Sequence, residues 1–429
     1  MSILIKNGNL VNVEKNNIQK QYDILLEKGK ISKIGKNLKV KADSVIDAKG
    51  LLVCPGLIDM HVHLREPGME YKETILTGAQ AGVAGGFTSL VCMPNTKPVL
   101  DNSGLINSIK EKAKKACLNI YPVGAITKAS EGKELTEIGD LIDEGAVAIS
   151  DDGRPVMDSD VLRKALEYTK MFDISILSHC EDTNLSNSGV MNEGYNSMIL
   201  GLKGIPNQAE AIAVARDISL AELTGAKIHI QHVSTKESVE IIKQAKKKGV
   251  KVTAETAPHY ISLTDDEVLG FNVCAKVNPP LRTREDVKSI KKAIADGVID
   301  VIATDHAPHS QEEKDLEFDN VPFGMVGLET AVGVVFTELV HNEKMDVVDV
   351  IKKMTINPSD ILKLEKGIIK EGEDADITII DPNLEWTVDK ELFKSKSKNT
   401  PFNGKKLKGK AVYTIVNAKV VFKEEENNA

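Results

Sequence analysis

At 429 residues and 41% hydrophobic content, the chain is long enough to bury a large core and has the composition of a globular protein. Its net charge of −8 argues against nucleic acid as the main partner, since backbone binding needs a positive field, and an anionic substrate would need locally placed cations. Nothing approaches the ~18 uninterrupted apolar residues of a membrane helix, and Met1 to Asn7 carries no signal-like pattern, so a cytoplasmic protein with no membrane partner is expected.

Residues 1–53 read as short alternating strands, among them Ile3-Leu4-Ile5, Asp23 to Leu26 and Lys30 to Ile34, with Gly29, Gly35 and Gly50 at turns. From residue 54 onward, apolar β-rich runs alternate with helical segments, the signature of repeated βα units around a parallel sheet. Eight runs can be counted, at 54–63, 87–95, 119–127, 147–152, 174–180, 227–233, 252–260 and 298–306, with helices expected at 207–225, 236–249 and 285–297. Eight such units close a (β/α)8 barrel, whose active sites lie at the C-terminal ends of the strands. Strand-like stretches return at Ala375 to Asp381 and Val412 to Val416. The expected architecture is therefore α/β: a TIM-like barrel over 54–365 and a small β-sandwich built from 1–53 and 366–429, ending in a frayed charged tail from Lys423. Cys54, Cys92, Cys117, Cys180 and Cys274 are odd in number and widely spaced, which fits buried apolar packing better than disulfides or a thiolate zinc site.

The strand ends carry the chemistry. In the run Gly56-Leu57-Ile58-Asp59-Met60-His61-Val62-His63-Leu64-Arg65, His61 and His63 stand two apart, so on a strand both imidazoles face one side and can close on one metal ion. Arg65 continues the alternation and would set a guanidinium beside that pair. Later runs end in Asn95, in Asp151 and Asp152, and in His179, His232, His259 and Asp305. Several independent strands thus converge on one rim. Imidazole and carboxylate suit zinc, and the set divides into His61, His63 and Asp305 for one ion and His179 with His232 for a second, bridged by a carboxylate of the fourth run. Successive strand residues face opposite ways, so only one of Asp151 and Asp152 can bridge, and chemistry alone leaves the choice open. Two such ions would supply a hydroxide nucleophile near neutral pH. Asp305 could carry its proton to a leaving nitrogen, which points to hydrolysis or reversible formation of an amide C–N bond. By the same alternation His229 and His306 face away and pack, His259 either supports a ligand or serves structure, and His341 lies at the surface.

These motifs resemble those of the dihydroorotases of the longer bacterial type, within the amidohydrolase superfamily. The matching segments are 56–68, 91–96, 150–153, 178–182, 229–235, 276–282 and 303–309, spread over nearly the whole chain. The resemblance implies zinc-dependent interconversion of N-carbamoyl-L-aspartate and L-dihydroorotate in pyrimidine synthesis. It gives His61, His63 and Asp305 to one zinc and His179 and His232 to the other, and the spacing of 27 residues to His179 favours Asp152 as the bridge. Arg65 and Asn95 would hold the substrate carboxylate with help from His309, and Asn278 would contact the ring. A homo-oligomer is expected, and a complex with aspartate carbamoyltransferase is compatible with the resemblance. Dihydropyrimidinases, hydantoinases and allantoinases, the alternative within the superfamily, commonly bridge their metals with a carboxylated lysine. No lysine stands beside Asp151-Asp152 here, and Arg65 suits a free carboxylate better than a neutral ring. A non-catalytic assembly partner should lack one or more histidines, and none is missing. The loop 309–324, rich in charge, is expected to close over the site.

Overall fold

The computed structural model describes residues 2–425. The β-branched and leucine-rich N-terminal stretch folds into β1 (Ser2–Asn12), β2 (Asn17–Glu27), β3 (Lys30–Gly35), β4 (Ser44–Asp47) and β5 (Leu52–Pro55). Nine short strands follow, separated by helices: β6 (Leu57–Val62), β7 (Phe87–Cys92), β8 (Asn119–Pro122), β9 (Ser175–Ser178), β10 (Met191–Asn192), β11 (Gly204–Ile205), β12 (Lys227–Ile230), β13 (Val252–Thr256) and β14 (Val301–Ile302). The chain ends in β15 (Ile377–Thr387), β16 (Lys406–Val416) and β17 (Lys419–Lys423).

The two ends of the chain share one eight-stranded sheet, in the order β17-β16-β15-β5-β1-β2-β3 with β4 beside β1. Ile3, Ile24 and Ile31 from the first strands pack in one core with Ile377, Ile379 and Ile415 from the last, so the sheet folds over itself as a sandwich. β5 makes the join, parallel to β1 and antiparallel to β15. It carries the terminal sheet past residue 53 to Pro55, and only Gly56 separates it from β6. A Cβ on Gly56 would stand 2.1 Å from Thr88 Oγ1, so no larger residue fits this crossing. At the far end Lys423 closes β17 and Glu424 pairs with Lys410, where a frayed tail was expected. The rest of that tail, 426–429, lies outside the described residues.

Between the ends, β6, β7 and β8 pair in parallel, and so do β9, β12, β13 and β14 in that order. The fourth run, 147–152, forms no continuous strand: only Ile149 pairs, in parallel bridges to Gly124 and Ile176 that join the two groups. The cause lies just beyond, where Asp151 accepts the backbone N–H groups of Ile126 and Thr127 and takes the place of a strand partner. β14 is likewise shorter than the run 298–306: the Asp59 carboxylate accepts Thr304 N–H, and Asp305 then turns out of the strand region with φ +49°. A last parallel bridge links His306 to Val62, so the pairings return to the strand where they began. Met60, Val91, Val123, Ala148, Leu177 and Val301, from both groups, fill one buried cluster among these strands.

The expected helices form within two residues of their predicted bounds, at Asn207–Thr224, Lys236–Lys247 and Arg284–Ala295. Local signals explain their ends. Gly225 closes the first in a left-handed conformation, Thr235 caps the second by accepting Ser238 N–H, and Thr283 with Asp286 boxes the start of the third. All five cysteines are free; Cys54, Cys92 and Cys180 are buried, whereas Cys117 and Cys274 are only partly so. Among the described residues no helix is long and apolar enough to cross a membrane.

Candidate active site

The strand period brings Asp59 and His61 to the same side of β6. Asp59 Oδ1 accepts the backbone N–H groups of His61 and Thr304, each at 3.1 Å, and thereby ties the first run to the eighth. His63 follows just past the strand, its ring centroid 5.4 Å from that of His61. His179 follows β9 directly, His232 stands two residues beyond β12, and Asp305 three beyond β14. His232 and Asp305 take left-handed backbone conformations, with φ +34° and +49°. A non-glycine residue held there costs on the order of 1–3 kcal/mol, which the surrounding packing must offset.

These turns aim the side chains at one another. Asp152 Oδ1 lies 3.4 Å from His61 Nε2, 3.6 Å from His179 Nδ1 and 3.7 Å from His232 Nε2, while its Oδ2 lies 3.6 Å from His63 Nε2. Asp305 Oδ1 is 3.0 Å from His63 Nε2 and 3.6 Å from His61 Nε2. Asp151 points elsewhere, into the N–H groups of Ile126 and Thr127 and the Thr127 hydroxyl. Of the two carboxylates the sequence left open, Asp152 is the one that faces the histidines.

The set fits divalent ions. Ligands of a tetrahedral site with bonds of ~2.0–2.1 Å stand about 3.3 Å apart, close to the spacings found. Two groups of donors, His61 with His63 and Asp152, and Asp152 with His179 and His232, could each hold an ion, and Asp152 belongs to both. His61 Nε2 and Asp152 Oδ1 are buried and have no hydrogen-bond partner. Leaving such atoms unmatched costs ~1–3 kcal/mol each, a cost that coordination removes.

The electrostatics favour a cation. Burial disfavours charge on His61, but the carboxylates of Glu255, Asp152 and Asp305 outweigh it and hold the imidazole well above its ordinary range. Burial is likewise overcome at His179, which Asp152 and Glu181 raise to about 10. Asp152 and Asp305 are held well below the carboxylate range against burial, chiefly by His61. To hold a metal ion these imidazoles would have to give up their protons, and the ion would then neutralise the carboxylates in their place.

A cavity of about 200 Å³ opens onto this cluster, and its wall carries Arg65, Asn95, Asn278 and His309. His61 lies behind the others, fully buried. Arg65 does not arrive by continuing the strand, as the sequence pattern suggested: β6 stops at Val62, and Arg65 turns inward with φ +61°. Its Nε donates to Pro308 O at 3.1 Å, and burial lowers the guanidinium to about 10. Asn95 accepts from His63 Nδ1 at 3.0 Å and donates to Asp152 Oδ2 at 3.2 Å, so it orients two members of the cluster. Asn278 Nδ2 donates to Glu181 Oε2, which also stands 3.0 Å from His179 Nε2. His309 Nε2 donates to Phe323 O at 2.8 Å and leaves Nδ1 to face Lys72 Nζ at 3.3 Å. Burial, with Arg65 and Lys72 adding to it, holds this imidazole well below its ordinary range, hence neutral.

Sequence reasoning missed Glu255. Its Oε1 stands 2.6 Å from His61 Nδ1 and its Oε2 3.3 Å from His229 Nε2, and His229 Nδ1 meets Thr253 Oγ1 at 2.8 Å. His229 therefore does more than pack: it backs the carboxylate that backs His61. The signal was a glutamate inside the buried strand β13, which is costly to bury without a partner. His306 faces away as expected, 3.5 Å from Glu73 Oε2. His259 lies against the Tyr260 ring, and burial lowers it to about 4. His341 is half-buried and donates to Pro382 O at 2.7 Å, where a surface residue was expected.

Comparison with known proteins places this site in a family. The amidohydrolase family model matches residues 52–421. The chain is 54% identical over 424 residues to the dihydroorotase of Pelotomaculum thermopropionicum, covering 99% of each chain. It is also 54% identical over 427 residues to that of Geotalea daltonii, covering 99% of this chain and 100% of the relative. Among solved structures, L-hydantoinase (dihydropyrimidinase) from Arthrobacter aurescens superposes with a TM-score of 0.87 at 25% identity, over 99% of this chain and 96% of that one. Dihydropyrimidinase from Brevibacillus agri, at 24% identity and a TM-score of 0.86 over 99% of this chain and 95% of that one, shares the fold. The chain belongs to the amidohydrolase family and, within it, to the dihydroorotases.

Proposed function

We propose that this protein reversibly cyclises N-carbamoyl-L-aspartate to L-dihydroorotate and water in de novo pyrimidine biosynthesis. The observation that carries the reading is one cavity in which a histidine–aspartate cluster fit for divalent ions meets the buried guanidinium of Arg65. The identity to dihydroorotases along the whole chain supports it. A hydantoinase or allantoinase reading is weaker, because a neutral ring leaves Arg65 without the anion that would offset its burial.

In this reading His61, His63 and Asp305 hold one zinc ion, His179 and His232 a second, and Asp152 both. Bound zinc polarises the ring carbonyl and lowers the pKa of water toward ~7. In the hydrolytic direction water adds to that carbonyl, the ring C–N bond breaks, and Asp305 carries a proton from the water to the departing nitrogen. An amide nitrogen leaves poorly unless protonated, so this transfer is the step that most needs a placed carboxylate. Arg65 pairs with the substrate carboxylate beside neutral His309 and Asn95, and Asn278 contacts the ring. The loop 309–324, whose Phe323 and Gly324 line the cavity, closes over the bound substrate. The order of strand pairings and bridges supports a (β/α)8 barrel as the architecture of this part of the chain. In this reading the barrel carries a small sandwich domain whose strands are β1 to β5 and β15 to β17. The family resemblance extends the reading to a cytoplasmic homo-oligomer able to join aspartate carbamoyltransferase.

The test is to assay the zinc-loaded protein on N-carbamoyl-L-aspartate, dihydroorotate, dihydrouracil and allantoin while counting bound metal. Turnover confined to the first two is expected; turnover of the neutral rings instead would overturn the reading. His61→Ala should lose metal at one site together with nearly all activity, and a fully metallated, active variant would remove His61 from the ligand set.

A further inference from the structure

Between β15 and β16 the chain leaves the terminal sheet, and residues 388–405 form a strap that bonds to the segments around Lys72, Ala307 and Gly324. The strap is well anchored. Ser395 Oγ donates to Glu73 Oε2 at 2.5 Å, Ser397 Oγ donates to Lys72 O at 2.7 Å, and Glu329 accepts the N–H groups of Lys394 and Ser395. Beyond these anchors sits Asn399, only 4% exposed.

Every polar group of the Asn399 side chain is spent on one short stretch of loop and its far end. Oδ1 accepts His309 N–H at 3.1 Å, and Nδ2 donates to Ala307 O and to Gly324 O, each at 3.1 Å. Its backbone carbonyl also accepts Val326 N–H at 3.0 Å. The bonds to Ala307 and His309 flank Pro308, whose carbonyl receives Arg65 Nε. The bond to Gly324 fixes the neighbour of Phe323, whose carbonyl receives His309 Nε2. One amide therefore sets both carbonyls on which Arg65 and His309 are oriented, and it ties together the two feet of the loop 309–324.

We infer that Asn399, supplied by the terminal domain, is a positioning residue for the substrate-carboxylate clamp formed by Arg65 and His309. The inference rests on the reading of those two residues as carboxylate partners. Asn399 touches neither the cavity nor the cluster, so its effect reaches substrate binding through the 307–309 backbone. A charge-assisted contact displaced by a fraction of an ångström loses much of its worth, while the histidine–aspartate cluster has its own supports in Asp59, Asn95 and Glu255.

The experiment compares the zinc-loaded wild type with Asn399→Ala, Asn399→Asp and Ser395→Ala, measuring KM, kcat, bound metal and Tm. Asn399→Asp keeps the volume and the acceptor for His309 N–H but sets a second oxygen against the carbonyls of Ala307 and Gly324. Both Asn399 variants should raise KM by about tenfold or more with kcat and metal content changed far less. Ser395→Ala, which loosens the strap without touching the loop, should leave KM near wild type. Should Asn399→Ala fold poorly, the Asp variant carries the test. Wild-type KM in Asn399→Asp, or a KM that rises equally in Ser395→Ala, would overturn the inference. Absence of dihydroorotate turnover in the wild type would instead overturn the functional reading beneath it.

Discussion

Glu255 Oε1 stands 2.6 Å from His61 Nδ1, and the other oxygen of the same carboxylate faces His229. The carboxylate fixes which nitrogen of His61 carries a proton and leaves Nε2 free to coordinate. Burial opposes its charge, yet His61 and His229 hold it down to about 2. Glu255→Gln should weaken divalent-metal binding by ~10–100-fold. Chelator competition reads this directly, and an unchanged affinity would show that His61 needs no such support.

Arg65→Met keeps the bulk of the side chain and removes its charge. Loss of a buried, charge-assisted pair costs ~2 kcal/mol, or about thirtyfold in affinity. KM for dihydroorotate should rise by that order with metal content unaltered. A KM that stays put would remove Arg65 from substrate binding.

Gly324 has φ +134°, and a Cβ there would stand 2.7 Å from Ala307 Cβ and 3.1 Å from His309 Nε2. Gly324→Ala should therefore displace His309 and cost ~1–3 kcal/mol of stability. Thermal unfolding together with KM measures both effects. A variant unchanged in both would mean that the foot of this loop has room to shift.

The loop 309–324 is held partly by the buried amino groups of two lysines. Lys276 Nζ donates to the carbonyls of Phe318 and Asp319, and Lys314 Nζ to those of Val273 and Pro322. Burial lowers Lys276 to about 8 and Lys314 to about 7, both below the free value of 10.5. With the folded pKa depressed, the docked loop binds fewer protons than the released one between pH 7 and 10.5. Docking should accordingly strengthen as pH rises through this window and weaken as it falls. Limited proteolysis of the loop, corrected with a free peptide of the same sequence, should slow from pH 7 to pH 9. A rate that rises over that range would contradict the sign.

Much of the site was legible because its signals are local. The pair His61 and His63 needs only the strand period, and the other histidines and Asp305 announce themselves as polar residues closing apolar runs. What escaped depends on distant parts of the chain or on backbone turns that no period encodes. Arg65 reaches the cavity through a left-handed kink, and the fourth run trades strand pairing for the bonds of Asp151. Glu255 gains its meaning from His61, 194 residues earlier. Asn399 sits in Lys394-Ser395-Lys396-Ser397-Lys398-Asn399, which reads as a solvated loop. It is buried because its own amide finds partners at Ala307, His309 and Gly324, 75 to 92 positions earlier.

The same strap bears on how the protein is made. A ribosome adding ~5–20 residues per second delivers residues 388–405 after every strand from β6 to β14 has emerged. A chain stalled before Asn399 would carry all the histidines of the cluster, yet the backbone that orients Arg65 and His309 would lack its brace. Competence to grip substrate would then be acquired only at the end of synthesis.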